Sequence, residues 1–197
     1  MSDGDWPQVL ANRLFEQRVV LLSGPLNEAT ATRASAELMT LDAEGDDAVT
    51  LRIDSAEGSL ALALTLMDVI ELMGVPVQAL GLGQVGGPAI GVLSVCHHRA
   101  AMPSTRFWWR EPTTQLETRA GEVEQWAQLR SDERHRFIER VAVAVGKSAA
   151  SVAETLASGA FMTAQEAHDF GLIEEICRPK GEIRQMPGPP IGFRPRR

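Results

Sequence analysis

Cysteine is scarce in this chain of 197 residues. Two cysteines, Cys96 and Cys177, make no disulfide framework, and no cysteine–histidine cluster has metal-ligand spacing. No metal or other cofactor is expected. Long apolar runs are also missing, none approaching the roughly 18 uncharged residues that a membrane span needs. The opening residues Met1-Ser2-Asp3-Gly4-Asp5-Trp6-Pro7 are acidic and lack the basic-then-apolar layout of a secretory leader. No internal repeat is visible. These absences exclude a secreted disulfide scaffold, a solenoid and a helical membrane protein, and they point to a reducing cytoplasm.

What is present fits one globular domain with a sizeable core: the hydrophobic fraction is 44% and the mean hydropathy -0.08. The net charge of -7 is unevenly spread. From Arg178 onward six basic residues (Arg178, Lys180, Arg184, Arg194, Arg196, Arg197) face the single acid Glu182, so this end carries +5 and the remainder -12. An acidic body speaks against a nucleic-acid surface. The basic, proline-rich end reads as a flexible arm or a solubilising tail.

The chain is organised around Val49 to Pro112. Val49, Leu51 and Ile53 alternate with Thr50 and Arg52, the pattern of a half-buried strand. A turn over Asp54-Ser55-Ala56-Glu57-Gly58 leads to Leu62, Leu66, Val69, Ile70 and Met73 at helical spacing. Val75 to Leu82 is a second strand, and Gly86-Gly87-Pro88 opens another helix, proline suiting a first helical turn. Arg106 to Arg110 is a third strand. Such crossovers predict an α/β fold with a parallel sheet and its chemistry at the glycine turns.

On either side the signals are simpler. Residues 1–12 read as a short, loosely attached amino terminus, and residues 13–178 as the folded domain. Arg18 to Leu22 is a buried strand, and Asn27 caps a helix to about Leu41, with Gly45 beyond it. Glu122 to Val145 reads as one long helix stopped by Gly146. Ser148 caps a short helix ended by Gly159. Thr163-Ala164-Gln165-Glu166 is a capping box opening a helix stopped by Gly171. Leu172 to Cys177 is a last strand, before the tail of residues 179–197.

Three stretches, in this order and spacing, carry a family resemblance. They are Arg13-Leu14-Phe15-Glu16-Gln17-Arg18-Val19-Val20-Leu21-Leu22-Ser23-Gly24-Pro25-Leu26, then Ile53-Asp54-Ser55-Ala56-Glu57-Gly58-Ser59, then Phe161-Met162-Thr163-Ala164-Gln165-Glu166-Ala167 with Phe170-Gly171-Leu172-Ile173. Over roughly residues 13 to 177 the chain resembles ClpP, the proteolytic-subunit family of the ATP-dependent Clp protease. The resemblance implies a crotonase-like α/β spiral. It also implies assembly into two stacked rings, with Glu122 to Val145 as the "handle" helix that joins them. Family members usually place a longer segment than twelve residues before the first strand, forming loops at the axial pore, so an ordinary gated chamber is not expected.

The resemblance also implies a Ser-His-Asp triad, and here the chain departs from it. Serine attacks, histidine takes its proton and aspartate orients the imidazole. The family's nucleophile run, Gly-Met-Ala-Ala-Ser-Met-Gly, corresponds to Gly83-Gln84-Val85-Gly86-Gly87-Pro88-Ala89, which places Gly87 at the nucleophile. The His-Gln-Pro turn corresponds to Arg110-Glu111-Pro112, which places Arg110 at the base. A guanidinium stays protonated and cannot act as a general base near neutral pH. The aspartate position falls at Thr155, beside Glu154. Of the two oxyanion-hole donors, Gly58 keeps one, whereas Pro88 stands at the other without an N–H. Ser55, Ser59 and Ser94 have no evident base, and His97, His98, His135 and His168 lie away from Gly87. Arg110 is expected to pair with Glu111, Glu154 or a neighbouring subunit's carboxylate.

These departures predict a non-catalytic subunit with a structural or regulatory role in a ring, alone or mixed with an active paralogue. Two alternatives stand beside it. One is an active serine endopeptidase using another nucleophile. The other is a nucleotide- or acyl-CoA-binding protein: Gly81-Leu82-Gly83-Gln84-Val85-Gly86 fits G-x-G-x-x-G, and Glu111 follows the next strand. Against it, no βα alternation follows Pro112. The tail adds Ile191-Gly192-Phe193. The partner ATPases of the Clp family dock through an Ile/Leu-Gly-Phe tripeptide, so this one is a candidate for binding such clefts on its own ring or a partner's.

Overall fold

A computed structural model describes residues 6–111 and 122–177, except the side chains of residues 6–10. Strands β1 (Val19–Ser23), β2 (Val49–Ser55), β3 (Val77–Gly86), β4 (His98–Ala101) and β7 (Glu175–Ile176) lie in the order β1-β2-β3-β4-β7, each pair parallel. Helices α2 (Glu28–Glu44), α3 (Leu60–Leu72) and α4 (Pro88–Ser94) make the crossovers. The result is the α/β crotonase-like architecture expected.

Strand β3 divides the molecule. Its first half, Gln78 to Gly81, pairs with β4, and its second, Gln84 to Gly86, pairs with β5 (Arg106–Trp108). The switch falls at Gly83, whose φ of +46° is left-handed. Here the Asp54 carboxylate accepts the Gln84 N–H at 3.0 Å, and a Cβ on Gly83 would lie 2.6 Å from that carboxylate. β6 (Phe161–Thr163) adds antiparallel to β5.

Local chemistry sets the helix ends. Asn27 accepts the Thr30 N–H at 3.0 Å and caps α2. Thr163 and Glu166 form the expected capping box of α7 (Ala164–Phe170). α5 spans Val123–Val145 and ends at Gly146 in a left-handed conformation. At 1.5 Å per residue its 23 residues reach about 34 Å. Its buried side chains, Phe137, Ile138, Val141, Ala142 and Val145, all belong to the second half. The first half stands away from the core, with Val123 and Leu129 exposed.

Three elements differ from the sequence reading. Helix α1 (Trp6–Glu16) runs through much of the segment read as loose, packing against β1. His98 to Ala101 forms a strand, β4, where none was expected. Helix α4 stops at Ser94, and the His97 N–H donates to the Val77 carbonyl at 2.8 Å, which starts β4. Phe161 to Thr163 is a strand because β5 offers it an edge.

Candidate functional site

Gly87 and Arg110 meet. β3 delivers Gly87 to the start of α4, where its N–H donates to the Trp108 carbonyl at 3.0 Å. Its φ of 49° and ψ of -124° form a sharp strand-to-helix turn, the setting in which hydrolases hold a nucleophile on a strained residue. A Cβ on Gly87 would lie 3.8 Å from Arg110 Cγ and 3.4 Å from the Ala56 carbonyl. Any side chain there would face a guanidinium stem. Pro88 follows as the first residue of α4, without an N–H.

Arg110 does not pair with either of the carboxylates the sequence suggested within this chain. Its Nη1 lies 3.3 Å from Glu57 Oε1, a partner 53 residues away. Glu111 instead accepts the Arg134 Nε–H of α5 at 2.8 Å. The reason is topological: parallel strands bring the β2 turn, the β3 turn and the end of β5 to one edge of the sheet. Arg110 also covers the Trp108 ring, its Cζ 4.3 Å from the centroid, and Trp108 stacks on Phe161 at 4.9 Å.

Gly58 answers mainly to packing. Its φ is +143°, it bridges Leu26, and a Cβ would fall 2.4 Å from the Leu26 carbonyl oxygen. Thr155 turns into its own helix α6 (Ala149–Ser158), donating to the Ser151 carbonyl at 2.8 Å. Ile191, Gly192 and Phe193 lie outside the described residues.

The other nucleophiles and bases have separate environments. Ser94 donates to the Gly91 carbonyl at 2.8 Å, Ser59 caps α3, and Ser55 is buried with an unpartnered hydroxyl. His97 Nδ1 accepts the Val77 N–H. His98 sits between Glu174 and Glu175 at 3.1 and 3.3 Å. His135 pairs with Glu139, and His168 lies 3.4 Å from Asp169. Burial pushes the Cys96 thiol up to about 12, with Arg99 opposing weakly, and burial followed by Glu175 raises Cys177. Neither cysteine is poised as a thiolate. Among the described residues no group of three His, Cys, Asp or Glu could hold a metal, and no helix is long and apolar enough to cross a membrane.

The G-x-G-x-x-G sextet is no phosphate-cradling loop. Gly81 to Gly86 lies wholly within β3, and the Asp54 carboxylate takes the Gln84 N–H at the bend. An anion would meet a negative charge there. A family model described as Clp protease matches residues 3–180. The chain belongs to the Clp protease family. Members of this family form ring oligomers.

Proposed function

We propose that this chain is a non-catalytic Clp protease-type subunit with a structural or regulatory role in a ring complex. The observation that carries it is the juxtaposition of Gly87, Arg110 and Pro88 at one turn. The nucleophile position has no side chain, the base position carries a permanent cation, and the second oxyanion donor has no N–H. Loss of one such donor alone typically costs about 2.7–4 kcal/mol of transition-state stabilisation. The engaged histidines and the unreactive thiols support the same reading, because among the described residues they leave no evident replacement pair. On this reading the protein works in the cytoplasm. The half-exposed α5 joins two rings, of this chain or of a mixture with an active paralogue, and the Ile191-Gly192-Phe193 tail engages clefts on a ring.

The test is peptidase activity of the purified protein, alone and mixed with an active ClpP from the same source. A fluorogenic peptide and a serine-directed fluorophosphonate probe are read together. The expected result is no turnover and no labelling alone, with altered activity in the mixture. Labelling of the isolated chain would mean that another serine has taken over. A chain ending at Gln185 should lose any tail-dependent part of the mixed-ring effect.

A further inference from the structure

We infer that Arg110 and the rings beside it form a binding site for a peptide carboxylate, an inference that rests on the non-catalytic reading above. Along β5 and just beyond it the side chains alternate. Phe107 and Trp109 are fully buried, Arg106 is exposed, and Trp108 and Arg110 are half-buried. A strand's period of two puts Arg106, Trp108 and Arg110 on one face. Antiparallel pairing sets Phe161 opposite Trp108. The guanidinium lies on the indole at 4.3 Å, and the indole stacks on the phenyl ring at 4.9 Å with only 15° between planes. Three flat groups therefore form one continuous ladder, and its last ring, Phe161, is 57% exposed.

Among the described residues the guanidinium is incompletely used. It offers five donors in a planar fork, whereas its contact with Glu57 is a single approach of 3.3 Å. A charge-assisted bond is commonly about 2.7–2.9 Å. The Glu57 side chain is 61% exposed, so little holds it in place. Beside the Arg110 stem lies the buried Gly87, where a Cβ would meet nothing nearer than 3.4 Å. A carboxylate approaching the fork can displace Glu57 and take two N–H groups at once. The apolar residue next to it then lies on Trp108 and Phe161.

Guanidinium and aromatic ladders also bind single-stranded nucleic acid. Two observations favour a peptide. The group already on the fork is a carboxylate, and the chain outside its tail carries -12, which repels a polyphosphate. The carboxylate can be a side chain or a chain terminus, and the chemistry at Arg110 is the same.

The test uses the full chain and fluorescein-labelled octapeptides in which a phenylalanine precedes a glutamate at the free carboxyl end. Matched peptides carry an amidated end, a glutamine, or both. Anisotropy reads binding at physiological salt, and mass spectrometry reads whether the peptide stays whole. The doubly amidated peptide should bind at least about tenfold more weakly, and the single replacements identify which carboxylate is read. R110Q should lose about tenfold or more, and R110K should not restore it, because an ammonium lacks the fork and the stacking plane. E57Q should gain about threefold or more, because it frees the fork without touching the rings. Intact peptide that does not bind, or that R110Q and E57Q bind as the native chain does, overturns the site alone. So does a single-stranded oligonucleotide that binds more tightly and depends on Arg110. Cleaved peptide overturns the non-catalytic reading and the site with it.

Discussion

The start and the middle of α4 differ in what their glycines are for. Toward the core, a Cβ on Gly91 would lie 2.2 Å from Phe137 Cε2 and 2.9 Å from Met67 Sδ. The space is already filled, and helix α5 closes onto α4 through it. At the start of the helix, a Cβ on Gly87 would find only ordinary contacts, from 3.4 Å outward. No atom demands that Gly87 lack a side chain; only its φ of +49° favours glycine. Packing governs Gly91, and backbone angle governs Gly87. A substitution at Gly87 should therefore leave the packing of α5 on α4 in place, because the atoms a Cβ would meet there are not those around Gly91.

The largest effect that would sharpen this contrast belongs to Gly91. Gly91→Ala forces a methyl into the Phe137 ring, so overpacking should cost about 1–3 kcal/mol, toward the upper end because Phe137 is itself buried. For a chain of this size each kcal/mol lowers Tm by about 2–4 °C. A calorimetric melt showing no loss would break the comparison, since α4 and α5 would then have room to part.

Gly87→Ser comes next, and its cost is of another kind. There is space for the side chain but not for the backbone angle, and a strained φ at a non-glycine residue costs on the order of 1–3 kcal/mol. Gly87→Ala should cost the same, which separates strain from any polar effect of the hydroxyl. Fluorophosphonate labelling of Gly87→Ser should stay at background, because its neighbour is Arg110. Adding Arg110→His supplies an imidazole but not the N–H missing at Pro88, and labelling should remain about 10²-fold or more below that of an active family member. Brisk labelling of the double variant would show that Pro88 matters less than its position suggests.

Legibility in the sequence followed the range of the interaction. The long helix was readable at Glu122 to Val145 because it has helical periodicity and a terminal Gly146. The Thr163–Glu166 capping box was readable because both partners lie within one turn. β4 was not, since His98-Arg99-Ala100-Ala101 has no alternation of its own and becomes a strand through β3 and β7. The glycine sextet looked like a loop, but neighbours on both sides hold it extended. The pairing of Gly87 with Arg110 came from aligning two family turns. Glu57 could not be chosen as the partner, because nothing local distinguishes it from Glu111 or Glu154. The stacking of Trp108 on Phe161 is hidden in the sequence for the same reason: it needs an antiparallel pairing between residues 53 positions apart.

The smallest effect lies at the edge of the ladder. Thr163 pairs with Arg106 on β5, and its N–H and hydroxyl both donate to the Glu166 carboxylate, at 2.7 and 2.9 Å. The Thr163 backbone bond, then its hydroxyl, hold the Glu166 carboxyl below its usual range, Arg106 helping. A carboxyl lowered on folding stabilises the native state above its unfolded value, and that contribution disappears as pH falls through the folded one. Native protein should therefore exceed Glu166→Gln in Tm near pH 6, and the gap should close as pH drops below the ordinary glutamate value of about 4.3. Glutamine keeps an acceptor for the Thr163 N–H, so what titrates is the charge and not the cap itself. Glu166 is fully exposed, so the gap should be smaller than either glycine effect. A gap that stayed constant with pH would assign it to packing at β6. The surface around the site would then be governed, like Gly91, by shape instead of charge.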